Sequence, residues 1–203
     1  MVTLFILIFA LILTCSTNAF ALKLDLYSDV NSEHWAYDAI KHVTKHRYFN
    51  GYEDGSFHPD ATITRAEAMK VYVLLAYRDM VYGTSSYKDV DKDEWYAPYI
   101  EAGKDLYPSS DKYFRPDDCI TRQDAVYALV RSLDLTQKVK FVDVDMLNNF
   151  KDIDDVNPEV IPYLAIALQL SIVSGYSNGT IKADSHLTRA EFATLIYRAQ
   201  SVE

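Results

Sequence analysis

The sequence contains little that would support a disulfide-stabilised, nucleic-acid-binding or membrane-spanning protein. Only two of its 203 residues are cysteine, and Cys15 falls in an amino-terminal segment with signal-peptide character. The exported chain then keeps Cys119 alone and forms no intrachain disulfide. Lys and Arg number 20 against 29 Asp and Glu, and the net charge of -9 excludes the broad basic surface that nucleic acid requires. After Leu22 no apolar run is long enough to span a membrane. The fold must depend on an apolar core, and any anionic ligand must be held locally.

The first residues differ from the rest of the chain. Leu4 to Leu13 is an uninterrupted apolar run, and Ala19-Phe20-Ala21 matches the small-residue pattern of a signal-peptide cleavage site. The run is shorter than the roughly 20 apolar residues that cross a bilayer. We therefore interpret residues 1–21 as a secretory signal peptide and expect the exported chain to begin near Leu22.

The chain after the signal repeats one pattern three times. Its most regular part is Ile63-Thr64-Arg65-Ala66-Glu67, which returns as Ile120-Thr121-Arg122-Gln123-Asp124 and as Leu187-Thr188-Arg189-Ala190-Glu191. The spacing is unequal, which indicates repeats joined by variable connectors rather than a regular solenoid. We assign the three repeats to residues 22–80, 84–135 and 146–203, and call them repeats 1, 2 and 3.

Other positions of the pattern recur upstream of these segments. Each repeat carries an acidic residue two positions after an aromatic one, two repeats carry a tryptophan, and repeats 1 and 3 share a Gly-Tyr turn. These positions are Asp29, Asp89 and Asp152; Trp35 and Trp95; and Gly51-Tyr52 and Gly175-Tyr176. Repeat 2 has a shorter loop without the glycines, and repeat 3 has no tryptophan.

Each repeat is predicted to form a helix, a turn-rich loop and a second helix. The loop glycines admit positive φ angles. The second helix begins with a capping box, in which Thr64 and Glu67, or Thr188 and Glu191, satisfy each other's backbone N–H groups. Repeat 2 has a shorter Thr-x-x-Asp version. We predict an all-α chain of six short helices in three hairpin-like pairs.

One recurring residue conflicts with local physics. The arginine that follows each threonine lies just inside a helix start, where the macrodipole disfavours a cation by about 0.3 to 1 kcal/mol. Its recurrence indicates a function. Free N–H groups at the helix start together with the guanidinium would form an anion site that grips a carboxylate. Alternatively, each arginine pairs with the acidic residue that opens a repeat. Both interpretations stay open for Arg65, Arg122 and Arg189.

Taken together, these motifs resemble the S-layer homology (SLH) domain, here in three copies. The resemblance is carried by the order aromatic-x-Asp-Val, Trp-Ala, Gly-Tyr-x-Asp-Gly and Ile-Thr-Arg-Ala-Glu. It implies three helix-loop-helix repeats around a pseudo-threefold axis, with a central three-helix bundle, three prongs and grooves between the prongs. It also implies a secreted protein of the bacterial cell envelope that binds the cell wall or S-layer and has neither cofactor nor enzymatic activity.

The resemblance further implies a binding partner. SLH domains anchor proteins noncovalently to a secondary cell-wall polysaccharide, which is linked to peptidoglycan and often carries pyruvate ketals. The ketal carboxylate suits an arginine, and sugar faces suit the aromatic residues Trp35, Trp95, Tyr52 and Tyr176. A partner protein or self-assembly is also implied. We expect Arg65 and Arg189 to matter more than Arg122, because repeat 2 lacks the glycine loop.

Two other classes of protein compete with a wall-binding module. A glycoside hydrolase needs two carboxylates flanking one cleft, whereas the acidic residues here are spread over the repeats, so no catalytic residue is assigned. The alternative is a calcium-stabilised structural or S-layer assembly protein without its own carbohydrate site. Asp89, Asp91 and Asp93 have alternating spacing, but Glu94 stands where an EF-hand requires glycine. No metal site is assigned.

Overall fold

The fold is helical, as the sequence predicts. A computed structural model describes residues 26–107 and 112–202. In these ranges there are seven α-helices, three short 3-10 helices and isolated β-bridges, but no β-strand. The α-helices are α1 (Tyr37–Lys45), α2 (Arg65–Leu75), α3 (Ala97–Ala102), α4 (Arg122–Ser132), α5 (Thr136–Val139), α6 (Ile161–Gln169) and α7 (Arg189–Gln200). The predicted signal peptide lies outside the described residues.

The 3-10 helices and α5 lie before or between the main helices of the repeats. The 3-10 helices cover Lys104–Leu106, Asp145–Asn149 and Ile153–Asp155. The prediction of six helices misses α5, which lies in the connector between repeats 2 and 3. Four residues are too few for a helical periodicity to be visible in the sequence. None of the described helices combines the length and hydropathy needed to cross a membrane.

The second helix of each repeat starts where the sequence predicts. The side chains of Thr64, Thr121 and Thr188 each accept a hydrogen bond from the backbone N–H three residues later. The reciprocal bond of the capping box is present at α2 and α7. At α4 only the threonine cap is formed, because the Asp124 side chain is one methylene shorter than Glu. The three helix starts are equivalent in backbone geometry and differ in this one bond.

A closed ring of backbone hydrogen bonds joins the three repeats. The N–H of Ile63 donates to the carbonyl O of Leu187 at 3.2 Å, that of Leu187 to Ile120 at 3.1 Å, and that of Ile120 back to Ile63 at 3.0 Å. All three side chains are buried. Because each residue immediately precedes a capping threonine, the ring gathers the starts of α2, α4 and α7. The predicted pseudo-threefold arrangement with its three prongs stays a prediction.

The helices pair between repeats rather than within them. In the described residues α1 packs against α7, α3 against α2, and α6 against α4, while α2 also contacts α4. The predicted hairpin-like pairs are therefore wrong. The physical reason is that each loop docks on a neighbouring repeat before the chain enters the second helix. A single core results, in which Tyr72, Phe57, Phe114 and Phe192 are fully buried.

Candidate ligand-binding grooves

Two surface grooves among the described residues contain the recurring loop glycines, and all three repeats line each of them. We name each groove after the repeat that supplies its loop. The repeat 1 groove has a volume of about 290 Å³, and its lining includes Gly51, Tyr52, Glu67, Lys70, Trp95 and Arg189. The repeat 3 groove has a volume of about 150 Å³, and its lining includes Trp35, Arg122, Gly175, Tyr176, Glu191 and Arg198. The predicted glycines, tyrosines and tryptophans all lie in these two grooves.

Arg189 forms the base of the repeat 1 groove although it belongs to repeat 3. Its Nε donates to the carbonyl O of Phe57 at 2.9 Å, and its Nη2 donates to the carbonyl O of Asn50 at 2.8 Å. The guanidinium carbon lies 4.9 Å from the ring centroid of Tyr52. This distance is within the range of a cation–π contact. Arg189 therefore binds the loop of repeat 1 and also lines the groove.

The other two arginines cross between repeats in the same way. Arg122 of repeat 2 donates from Nη2 to the carbonyl O of Ser174 at 2.8 Å and lies 5.3 Å from the Tyr176 ring centroid. Arg65 of repeat 1 donates from Nε to the carbonyl O of Phe114, in the loop of repeat 2, at 2.9 Å. Each arginine thus serves the loop of the following repeat, and Arg189 closes the cycle.

This crossing corrects one premise of the sequence analysis. The expectation that Arg122 matters least assumes that each arginine borders the loop of its own repeat. The structure places Arg122 beside the glycine loop of repeat 3, and places Arg65 beside the shortened loop of repeat 2. An arginine that follows a loop in the sequence does not border that loop in the structure. The loop beside each arginine belongs to another repeat, so the premise is wrong.

The recurring acidic residues bind the loops and not the arginines. Asp29 accepts hydrogen bonds from the backbone N–H groups of Phe57 and His58 at 2.8 and 2.7 Å. Asp89 and Asp152 accept from two matching backbone N–H groups in their own repeats. Against burial, which raises it, the backbone bonds hold the pKa of Asp152 below its ordinary value. The predicted pairs between these carboxylates and the arginines are therefore wrong.

The carboxylates hold an unusual backbone conformation in each loop. The second N–H donor of each set belongs to a residue with a left-handed backbone, namely His58 with φ 54°, Arg115 with φ 57° and Lys182 with φ 53°. This conformation costs a residue with a side chain roughly 1 to 2 kcal/mol. A charge-assisted hydrogen bond offsets that cost. Asp29, Asp89 and Asp152 thereby shape the loops that border the grooves.

The backbone N–H groups at the helix starts are already bonded. Those of Arg65 and Ala66 donate to the carbonyl oxygens of Asp118 and Pro116 at 2.9 and 3.0 Å. The starts of α4 and α7 receive carbonyl groups from repeat 3 and repeat 1 in the same way. The third N–H of α2 is bound by Thr64. The predicted anion site made of free helix-start N–H groups is therefore wrong, because the neighbouring loop caps each helix.

Both groove arginines are buried. Arg189 is only 3% exposed, and its Nη1 lies 3.8 Å from Glu67 Oε1. Burial lowers the pKa of Arg122, and the charges of Tyr176 and Glu191 oppose that shift. The Nε of Arg122 has no hydrogen-bond partner among the described residues. Neither groove arginine has a carboxylate within direct hydrogen-bond distance in the described contacts.

Exposed aromatic rings line the same grooves as these buried cations. Trp95 is 53% exposed, Trp35 is 64% exposed and Tyr52 is 47% exposed. A solvent-exposed tryptophan or tyrosine ring beside a groove offers a ligand an apolar face and a polar N–H or O–H group. Each groove therefore combines a cation at its base with an aromatic surface at its rim.

Two cations that line the grooves are not among the predicted site residues. Lys70 of α2 lines the repeat 1 groove, and Arg198 of α7 lines the repeat 3 groove. Lys70 follows Glu67 by three positions, which places the two on one helix face. Arg198 follows Glu191 by seven positions, with the same result. The spacing predicts that Lys70 and Arg198 line the grooves only when Glu67 and Glu191 are known to face them.

The described residues offer no support for a metal centre. In the parts of the chain that the structure describes, no three His, Cys, Asp or Glu side chains converge in a way that would hold a metal ion. The Asp91 carboxylate accepts the backbone N–H of Asp93 at 3.0 Å, while Asp93 pairs with Lys92. These acids serve local turns and surface pairs.

The helical repeats and their inter-repeat grooves define a repeat-built binding module. The family model for the S-layer homology domain matches residues 26–69, 86–126 and 149–193. The chain belongs to the S-layer homology domain family and carries three tandem copies of it. The family resemblance drawn from the sequence motifs is confirmed.

Curated relatives carry the same module within much longer proteins. The chain is 32% identical to cell surface glycoprotein 1 of Acetivibrio thermocellus over 76% of its length and 7% of that protein. It is 37% identical to the cellulosome-anchoring protein of the same organism, over 53% of its length and 26% of that protein. It is 28% identical to the surface-layer 125 kDa protein of Lysinibacillus sphaericus, over 81% of its length and 14% of that protein. The family and these relatives identify a secreted, cell-surface anchoring module.

Proposed function

We propose that the chain binds an anionic secondary cell-wall polysaccharide, one that carries pyruvate ketals and is linked to peptidoglycan, through the repeat 1 and repeat 3 grooves. One observation supports this most strongly. Both grooves contain the same three parts, each from a different repeat: a buried arginine at the base, a loop tyrosine against it, and an exposed tryptophan. A carboxylate on a sugar matches this arrangement, because it presents an anion beside a ring face.

The chemistry of the repeat 1 groove illustrates the binding mode. The Arg189 Nη atoms attract the ligand carboxylate, and Lys70 adds a second charge from α2. Trp95 and Tyr52 contact the sugar faces. The guanidinium cannot use Nε for the ligand, because that donor is taken by Phe57. Binding therefore relies on the Nη end of the arginine, where charge-assisted bonds are strong in a partly dry site.

The net charge of the chain makes this local arrangement necessary. At -9 the protein as a whole repels a polyanion. In each groove, however, the cations outnumber the single lining carboxylate. Arg189 and Lys70 oppose Glu67 in one groove, and Arg122 and Arg198 oppose Glu191 in the other. Specific binding of carboxylated sugars is favoured over general attraction to anionic surfaces.

We propose in addition that the chain performs no catalysis. The lining carboxylate of each groove, Glu67 or Glu191, accepts the backbone N–H of a capping threonine at 2.9 Å. Hydrolysis of a glycosidic bond requires two carboxyl groups across the cleft. The lining residues of each groove contain one, and it is committed to a helix cap.

Sedimentation with purified cell-wall sacculi tests the proposed function. The purified protein should sediment with intact sacculi and remain in the supernatant after the secondary polysaccharide has been extracted. Sacculi that keep the polysaccharide but have lost its ketals to mild acid should bind weakly. Equal binding to extracted sacculi would contradict a polysaccharide ligand, and equal binding after ketal removal would contradict the carboxylate.

A further inference from the structure

Arg65 differs from the other two arginines in its electrostatic surroundings. Its Nη1 lies 2.9 Å from Asp124 Oδ2 in a direct, hydrogen-bonded ion pair. The corresponding separation in repeat 1 is 3.8 Å, between Arg189 Nη1 and Glu67 Oε1. The Arg65 guanidinium is also covered by the ring of Tyr107, at 4.5 Å from its centroid. This arginine already holds a carboxylate.

The length of one side chain explains the difference. Glu67 and Glu191 are long enough to reach back to the backbone N–H of their capping threonines, which they bind at 2.9 Å. Asp124 is one methylene shorter and forms no reciprocal cap with Thr121. Its carboxylate is consequently available to Arg65. The same sequence position is a helix cap in two repeats and a counter-ion in the third.

A cavity of about 390 Å³ contains this ion pair and is also lined by Arg115, Asp118 and His186, with Arg115 Nε 3.8 Å from Asp118 Oδ2. Two positions that supply a cation and an aromatic ring to the repeat 1 groove differ in the corresponding repeats. Tyr127 stands at the position of Lys70 and is buried. Glu159 stands three positions before Pro162, as Trp95 stands before Pro98. Burial raises the pKa of Tyr127, the charge of Arg131 lowers it, and Tyr163 and Glu159 raise it. At these two positions a lysine and a tryptophan are replaced by a buried phenol and an acid.

We propose that Asp124 acts as an internal carboxylate that occupies Arg65, so that the repeat 2 groove, a cavity of about 390 Å³ that both residues line, does not take an anionic ligand. The chain then has two anion-binding grooves and one that is neutralised by its own sequence. This inference rests on the proposed function, because it concerns the same ligand class. Asp124 is a specificity-determining residue of the third groove.

Arginine side-chain NMR separates the three grooves in one experiment. The probe is the methyl glycoside of a hexose that carries a 4,6-pyruvate ketal, and the signals are the N–H resonances of Arg65, Arg122 and Arg189. In the unsubstituted protein we expect the resonances of Arg122 and Arg189 to shift with added probe, while those of Arg65 stay in place. The methyl ester of the probe, which lacks the negative charge, serves as the ligand control.

Two reciprocal substitutions test the role of the acid. Asp124→Asn removes the charge at constant shape and should make Arg65 respond to the probe. Glu67→Asp should bring the shorter carboxylate onto Arg189 and weaken the response of that arginine roughly tenfold. Asp117→Asn, an exposed acid in the same repeat, is the matched charge control and should change neither response. Melting curves and amide spectra establish that each variant is folded.

The outcomes are distinct for the two proposals. A response of Arg65 in the unsubstituted protein, equal to that of Arg189, would overturn the internal-carboxylate inference and leave the proposed function standing. The same inference fails if the Arg65 resonances still do not shift with added probe in Asp124→Asn and the response of Arg189 to the probe is unchanged in Glu67→Asp. If no arginine responds in the unsubstituted protein, the proposed carboxylate ligand is wrong, and the inference falls with it.

Discussion

Arg189 of repeat 3 lies against Tyr52 of repeat 1, with the guanidinium carbon 4.9 Å from the centre of the ring. This contact joins the last repeat of the chain to the first. Trp95 of repeat 2 lines the same groove. A complete groove therefore requires all three repeats in their folded arrangement.

The first prediction concerns the exposed tryptophans. Trp95→Ala should weaken binding to sacculi by about 1 to 2 kcal/mol, or roughly five- to thirtyfold, because an aromatic face against a sugar is lost. Trp35→Ala should act similarly through the repeat 3 groove. Neither change should lower the melting temperature much, since both rings are more than half exposed. Sedimentation and thermal melting measure the two effects separately.

A matched control distinguishes the grooves from general surface hydrophobicity. Phe141 is 88% exposed and is not among the residues that line either groove. Phe141→Ala should leave binding to sacculi unchanged. If Phe141→Ala weakens binding as much as Trp95→Ala, the tryptophans contribute only non-specific hydrophobic contact. That result would contradict the proposal that the grooves bind the ligand.

The second prediction concerns the carboxylates that hold the loops. Asp29→Ala removes the acceptor of the Phe57 and His58 backbone N–H groups and should destabilise the protein by about 2 to 4 kcal/mol, because each bond to a charged acceptor is worth more than a neutral one. Chemical denaturation measures the loss. Asp60→Ala, at an exposed acid of the same loop, should stay within about 0.5 kcal/mol of the parent. Similar stabilities of the two variants would contradict the loop-holding role.

Local chemistry was readable in the sequence, whereas contacts between repeats were not. Thr64 and Thr188 start helices because their capping boxes are short-range features, and the sequence contains both halves. The partner of Arg65 could not be derived in this way. The partner depends on which loop packs against which helix start. The three loops are similar in sequence, so the sequence does not distinguish between the possible pairings. The sequence shows that repeat 2 has Asp124 where the other repeats have Glu. That this aspartate pairs with Arg65 is seen only in the structure.

The third prediction concerns a glycine whose role the sequence analysis assigned to the wrong cause. The loop glycines are predicted to supply positive φ angles, yet of the glycines in these loops of repeats 1 and 3 it is Gly55 and Gly179, and not Gly51 or Gly175, that have them. A Cβ at Gly51 would overlap the carbonyl O of Ser56 and the ring of Tyr27. Gly51→Ala should therefore destabilise the protein by about 1 to 3 kcal/mol through overpacking.

Gly55→Ala provides the comparison for this prediction. A Cβ at Gly55 meets no atom within 4 Å, and only its φ of 81° opposes a side chain. The expected cost is about 1 kcal/mol. The melting temperature of Gly51→Ala should be lower than that of Gly55→Ala. The reverse order would show that backbone conformation, and not close approach, makes glycine necessary in these loops.

The last prediction concerns the histidines where α1 meets α7. His42 and His46 lie with ring centroids 4.3 Å apart, and His42 also contacts Tyr197 and Gln200 of α7. Burial, followed by the nearby charges of His42 and Lys45, lowers the pKa of His46 below its ordinary value. In the window just below about pH 6.5 the unfolded chain then binds more protons than the folded chain.

Stability should therefore fall as the pH drops through this window and should be fully present above it. Melting temperatures measured from about pH 7.5 to 5.5 test the slope, well above the range in which Asp152 gains a proton. His46→Gln cannot be protonated and should flatten the dependence, while His186→Gln, which lies in repeat 3 outside this cluster, should retain it. An unchanged slope in His46→Gln would show that the α1–α7 contact does not sense the proton, and would assign the pH dependence to other groups.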